Sequence, residues 1–163
     1  DLDALTTWVA EHQTVAGFAG GEPLTNEELF KLDLDILIPA ALENQITIDN
    51  APAVHAKVVV EGANGPTTPD AHKHLHERGI FVVPDILANS AGVTASYFEW
   101  VQDRYGYFWK EAEVNERLEE KMVAAFDAVW STKERFEVDA RTAAYILAVD
   151  RIMEARRLRG LYA

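Results

Sequence analysis

Apolar and polar positions follow two different rhythms along the first half of the chain. Leu2, Leu5, Trp8 and Val9 recur at helical spacing and predict a helix over residues 2–12. Further helical stretches are predicted over 25–32 and 69–78. Thr25 followed by Glu28 has the spacing of a capping box, and Thr68 before Pro69 reads as an N-cap with a first-turn proline, with Gly79 as the stop. Between these helices lie three short apolar runs with no polar alternation, at 36–38, 58–60 and 80–83. Runs of that kind suit strands covered on both faces, as in a parallel sheet, so the pattern predicts βαβ units with right-handed crossovers.

The rhythm changes after Asn89. No strand pattern follows, and helices are predicted over about 91–104, 111–135 and 139–159. Asp139 is the expected N-cap of the last, Gly160 its end, and Ile146, Val149, Ile152 and Met153 its apolar face. The predicted architecture is α/β: a half-sized parallel sheet with helices, then a helical tail.

Composition narrows the function classes. With 163 residues, 48% of them hydrophobic and 26% charged, the chain is sized for one globular domain and too apolar for disorder. It contains no cysteine, which excludes disulfides, thiolate metal sites and a cysteine nucleophile. Its net charge of −12 has the wrong sign for gripping nucleic acid. The surplus is uneven, with thirteen acids against four Lys/Arg in residues 1–80 and fourteen against eleven in 81–163. The apolar run 36–42 is far shorter than a membrane span, and the N-terminus lacks a basic signal region, so a cytoplasmic location is expected. The first residue is Asp1 rather than methionine, so a processed chain or part of a longer one is expected.

The chemistry-bearing positions cluster where the three predicted strands end. The first runs into Pro39-Ala40-Ala41-Leu42-Glu43-Asn44, the second into Glu61-Gly62-Ala63-Asn64-Gly65-Pro66, and the third into Pro84-Asp85-Ile86-Leu87-Ala88-Asn89. Ligands of open α/β sheets bind outside the carboxyl ends of the strands. Small residues let a ligand approach the backbone, and an asparagine amide both donates and accepts hydrogen bonds. That chemistry suits neutral groups such as ribose hydroxyls or a carboxamide. No Lys or Arg is present in these loops to grip a phosphate, and no glycine-rich phosphate turn occurs in the chain. If this is half of a dinucleotide-binding fold, the half that would hold the pyrophosphate is missing.

Other constellations carry less. His72 and His76 share a helix face but lack a third ligand, so their helix reads as a solvated surface element with no metal. Ser90, Ser96 and Ser131 sit in no nucleophile elbow, Glu119 and Glu120 read as a solvated face, and Arg156, Arg157 and Arg159 suit a helix C-terminus. Seven of the sixteen aromatic residues fall between Tyr97 and Trp109, which reads either as packing under a helix bend or as a contact with another domain or subunit.

Residues 35–47, 60–69, 84–89 and 93–102 together resemble the glutamate dehydrogenase family, the Glu/Leu/Phe/Val dehydrogenases, and Arg159-Gly160-Leu161-Tyr162 resembles a bacterial C-terminus of that family. The resemblance covers nearly the whole chain. It implies part of a Rossmann-like nucleotide-binding domain over 1–90, followed by C-terminal helices over 91–163 that pack on the nucleotide and substrate domains. It further implies NAD(P)-dependent oxidative deamination of L-glutamate to 2-oxoglutarate and ammonia, with NAD or NADP as cofactor, in a homohexamer.

By resemblance, Asn64 and Asn89 contact the nicotinamide ribose end of the cofactor, and Ala40, Ala41 and Ala63 line the same cleft. Ser96 would bind the substrate side-chain carboxylate, with Val93 as the pocket wall beside it. A hydroxyl at position 96 suits glutamate over the apolar substrates of sister enzymes. The family's catalytic lysine and aspartate would lie upstream, so no catalytic residue is expected here and the chain alone is expected to be inactive. Ala91 stands where the family has glycine, a methyl group that would crowd the nicotinamide or alter the turn. Two other roles remain open: a short non-catalytic partner of a full-length subunit, and a free-standing nucleotide-binding module.

Overall fold

The computed structural model describes residues 1–160, so Leu161 and Tyr162 of the C-terminal resemblance lie outside the described residues. Helices α1 (Leu2–His12) and α2 (Asn26–Phe30) precede strand β1 (Ile36–Leu37). Strand β2 (Val58–Val60), helix α3 (Pro69–Glu77) and strand β3 (Phe81–Val83) follow. Four helices follow among the described residues: α4 (Asp85–Ala88), α5 (Ser90–Tyr105), α6 (Glu111–Phe136) and α7 (Ala140–Arg159). The strands form one parallel sheet in the order β1-β2-β3, with Leu37 opposite Val59 and Val59 opposite Val82.

The local signals that predicted these elements are present as physical contacts. Thr25 and Glu28 form the reciprocal capping box, Thr68 caps α3 with Pro69 in its first turn, and Asp139 caps α7 through the N–H groups of Arg141 and Thr142. Gly79 adopts φ +76°, a left-handed conformation that glycine reaches without steric cost.

Two cores result. One lies under the sheet, where Ile46, Val54, Val59 and Leu75 are fully buried together with Leu37, Ala71 and Val82. The second joins β3 to the helical layer, with Leu87, Val129, Ala140, Ala143 and Ala144 buried against Phe81, Val83 and Leu147. Trp130 of α6 meets the Phe81 ring edge-on at 5.6 Å between centroids, tying that helix to the sheet.

Three expectations need correcting. The buried face of α7 is its N-terminal alanine stripe with Leu147, whereas Val149, Ile152 and Met153 are exposed. The reason is geometric: small side chains let α7 approach α6 and β3 closely near its start, and beyond that point no neighbouring element among the described residues covers it. Helix α1, despite its apolar spacing, buries no residue. Finally, α3 is not purely solvated. The His72 ring is largely enclosed, with its Nε2 3.0 Å from Asp139 Oδ1, while His76 faces solvent. A neighbouring carboxylate, invisible to helical periodicity, draws His72 inward. No group of three or more His, Asp or Glu among the described residues is arranged to hold a metal ion.

Candidate functional site

The first two strand-end segments are stitched side by side by main-chain hydrogen bonds, and the Glu61 N–H donates to Val83 O at 3.1 Å to join the second to the end of β3. The Ala63 N–H donates to Pro39 O, Asn44 N–H to Gly65 O, and Ile46 N–H to Pro66 O, all at 2.9 Å. Gly65 at φ +55° and Asn44 at φ +55° supply the left-handed turns this stitching needs. At Gly62 even a methyl group would be crowded, because a Cβ there would fall 3.0 Å from the Ala40 Cβ. Ala40 therefore backs the second loop, and the close approach of these two segments explains the small residues at both places.

An open cleft of about 520 Å³ lies at these strand ends, lined by Ala41, Glu43, Gly62, Ala63, Asn64, Asn89 and Val93. It unites residues from the β1, β2 and β3 ends with Val93 of α5, drawn from positions 41 to 93 of the chain. Among the described residues its only charged lining residue is Glu43, and no cation lines it. The two asparagines meet directly: Asn89 Nδ2 donates to Asn64 Oδ1 at 2.7 Å and, at the limit of bonding, to Ala63 O at 3.5 Å. This contact orients both amides. It leaves the Asn64 NH₂ as donor and the Asn89 amide oxygen as acceptor for a third group.

The remaining candidates are placed differently. Val93 stands 70% exposed on the first turns of α5, at the cleft wall. Ser96 lies one turn farther along the same helix face, outside the lining, and its hydroxyl donates to Gly92 O at 3.2 Å. Ala91 sits in the helical backbone of α5 and not among the residues with positive φ, so its methyl group introduces no backbone strain.

Behind the cleft lies a charged cluster that periodicity did not reveal. Glu61, at the end of β2, is 0% exposed, and Arg141 of α7 reaches both Glu61 and Asp85. Burial pushes the Asp85 carboxyl up, but the N–H groups of Gly65 and Ile86 and the Arg141 guanidinium outweigh it and hold the group below its ordinary value. Burial likewise opposes the charge on Arg141, yet its pairing with Glu61 and Asp85 raises its pKa. A sequence signal for this cluster existed. Arg141 is a cation in the first turn of a helix, where the dipole disfavours it, and Glu61 interrupts the end of a wholly apolar strand.

Comparison with known proteins shows which family the chain is similar to. Residues 1–160 match the family described as Glutamate/Leucine/Phenylalanine/Valine dehydrogenase. The chain is 56% identical over 162 residues to a glutamate dehydrogenase of Thermotoga maritima, covering 99% of this chain and 39% of that protein. It is 48% identical over 162 residues to an NAD-specific glutamate dehydrogenase of Clostridioides difficile, covering 99% of this chain and 38% of that one. Among solved structures, a hetero-hexameric glutamate dehydrogenase from Thermus thermophilus superposes with a TM-score of 0.90 at 38% identity, covering all of this chain and 38% of that chain. A glutamate dehydrogenase from Peptoniphilus asaccharolyticus gives 0.82 at 41% identity, covering 99% and 36%. The chain thus spans well under half the length of the relatives it matches. On this combined evidence of sequence and fold, the chain belongs to the Glutamate/Leucine/Phenylalanine/Valine dehydrogenase family.

Proposed function

We propose that this chain forms one wall of the coenzyme cleft of a glutamate dehydrogenase, which oxidatively deaminates L-glutamate to 2-oxoglutarate and ammonia. One observation carries the reading: Ala41, Gly62, Ala63, Asn64, Asn89 and Val93 converge on one cleft at the carboxyl ends of parallel strands. The donor of Asn64 and the acceptor of Asn89 complement a carboxamide or a pair of ribose hydroxyls, and the small loop residues admit a flat ring against the backbone. A lining without cations fits the nicotinamide riboside end of the coenzyme and not its phosphates. NAD is the proposed cofactor, in keeping with relatives named NAD-specific, one of them from Staphylococcus aureus at 57% identity over 139 residues. When bound, that cofactor supplies the carbon that accepts hydride from the substrate α-carbon.

Within this division of labour the chain's residues bind and orient. Asn64 and Asn89 fix the ribose end, Ala40 and Gly62 hold the loops close enough for ring contact, and Val93 closes the side. Ser96 is the proposed contact for the substrate side-chain carboxylate, one helical turn beyond Val93. Residues 1–90 are the proposed nucleotide-binding portion and 91–163 the helical portion that packs on the nucleotide and substrate domains. A cytoplasmic location and a hexameric assembly complete the reading. No Lys lies in the cleft to perform acid–base chemistry, so the 163-residue chain by itself is inactive in this account.

The test is a glutamate-dependent rise in NADH absorbance. The purified chain is expected to give none. The native polypeptide that carries this segment is expected to be active, and Asn64→Ala and Asn89→Ala each raise its KM for NAD about tenfold, the loss of one well-placed hydrogen bond. Wild-type coenzyme KM in both variants would refute the assignment. A second reading is favoured by the hetero-hexameric neighbour, an assembly of unlike chains on this fold. It makes this chain a non-catalytic partner, and co-purification with a longer, separately encoded homologue would select it.

A further inference from the structure

The first turn of α7 is bound to the sheet by an arrangement that stability does not explain. Glu61 is fully buried, and its Oε2 accepts hydrogen bonds from Arg141 Nη2 at 2.5 Å and from the Asp85 N–H at 2.9 Å. The other arm of the guanidinium, Nη1, donates to Asp85 Oδ1 at 3.1 Å. Such a buried pair is about neutral against an apolar replacement of the same volume, and a cation at a helix N-terminus opposes the dipole. Glu61 Oε1 has no partner among the described residues, which adds a further desolvation cost. These costs point to a gain in geometry.

That gain is visible in what Asp85 holds. Its Oδ2 accepts from the Gly65 N–H at 2.8 Å, next to Asn64, and its carbonyl oxygen accepts from the Asn89 N–H at 3.1 Å. Asp85 therefore touches both asparagine-bearing segments at once. The planar fork of Arg141 spans Asp85 and Glu61 in a way the point charge of a lysine would not.

We infer that Arg141 is a positioning residue for the cleft: acting through Asp85, its guanidinium sets the spacing of Asn64 and Asn89 so that their unused amide groups meet a nicotinamide riboside in one orientation. The inference rests on the proposed coenzyme reading for its ligand, but its geometric half stands on the asparagine contact alone. It also makes the start of α7, distant from the cleft in sequence, part of the cleft's support.

The test uses the ¹⁵N-labelled chain and two variants. Arg141→Lys keeps a positive charge beside Glu61 but loses the fork. Asp85→Asn leaves Arg141 on Glu61, so the buried acid stays paired, and removes only the second anion. In both, the side-chain amide resonances of Asn64 and Asn89 should shift and average, while the backbone amide of Val59 in the sheet core stays in place. Affinity for reduced nicotinamide riboside should fall about tenfold. Wild-type asparagine resonances and affinity in either folded variant would overturn the proposal. So would an unfolded Arg141→Lys beside a wild-type-like Asp85→Asn, because Arg141 would then serve stability alone. If the unmodified chain does not respond to the riboside at all, the coenzyme reading fails, and the asparagine resonances still decide the positioning claim.

Discussion

The sheet layer and the helical layer bury apolar surface in opposite ways. Under the sheet, Ile46, Val54, Val59 and Leu75 are removed from water completely, and α3 packs its Ala71 and Leu75 against them. In the helical layer the buried positions of α7 are alanines, and many large apolar side chains stand outside: Tyr105 is 84% exposed, Phe108 69% and Ile152 67%. Of the aromatic cluster at 97–109, Phe98 and Trp109 pack edge-on with centroids 5.6 Å apart, and most of the rest face outward. One layer completes its own core, whereas the other has apolar faces that nothing among the described residues covers. The cleft sits on the first kind of layer, where loop positions are fixed by a rigid support.

The largest expected effect breaks this contrast directly. Leu75→Ala should cost about 2–5 kcal/mol, because it opens a cavity in a fully enclosed site. Tyr105→Ala, an aromatic of greater size, should change stability by less than about 0.5 kcal/mol. Paired thermal melts check both, and equal losses would mean that the two layers are not built differently.

Next in size is the joint between the layers. Asp139 caps α7 and pairs with His72 of α3. Burial pushes the Asp139 carboxyl up, but the Thr142 hydroxyl and N–H and the His72 ring outweigh it and bring it to about 2. Asp139→Ala is expected to cost about 1–3 kcal/mol through the lost cap and the unpaired histidine. The pH dependence has a definite sign. A carboxyl whose folded value is depressed adds stability above its unfolded value near 4, and that contribution disappears as pH falls towards about 2. With screening allowed for, the change is roughly 1–2 kcal/mol, and it should be absent from the acid limb of the Asp139→Ala variant. An unchanged acid limb would remove this joint from the account.

The smallest effect on stability concerns the sheet edge. Ile36 of β1 and Ile38 just beyond it are exposed, and the outer side of β1 pairs with no strand among the described residues. An unpaired parallel edge with apolar side chains is a template for association. The chain is expected to self-associate in sedimentation, and Ile38→Lys should reduce that association while leaving the melting temperature nearly unchanged.

How much of this was legible in the sequence depends on the range over which the signal acts. The helices and strands were legible because caps, prolines and apolar runs act within one or two turns: Thr25 with Glu28, Thr68 with Pro69, and the run at Val58–Val60. The strand-end loops were legible as candidate sites because ligands of open α/β sheets bind outside the carboxyl ends of the strands, and small residues with asparagines recur at all three ends, although Gly65 and Asn44 also serve as turns. Helix α4 was missed because Asp85–Ala88 is a single turn stabilised from outside by Glu61. The buried face of α7 was misjudged because apolar spacing reports what a helix is able to bury and not what reaches it. The Arg141 fork and the His72 pair join residues 56 to 80 positions apart: the charges of Arg141 in a first helical turn and of Glu61 after an apolar strand signal that each needs a partner, but no local pattern says which.

The most direct test of the central claim is a chemical-shift map of the chain titrated with reduced nicotinamide riboside and, separately, with AMP. The account predicts that the riboside perturbs Asn64, Asn89, Ala63 and Gly62 as one saturable set, while AMP, presenting a phosphate to a cleft without cations, leaves them in place. Equal perturbation by AMP, or none by the riboside at any attainable concentration, would contradict it.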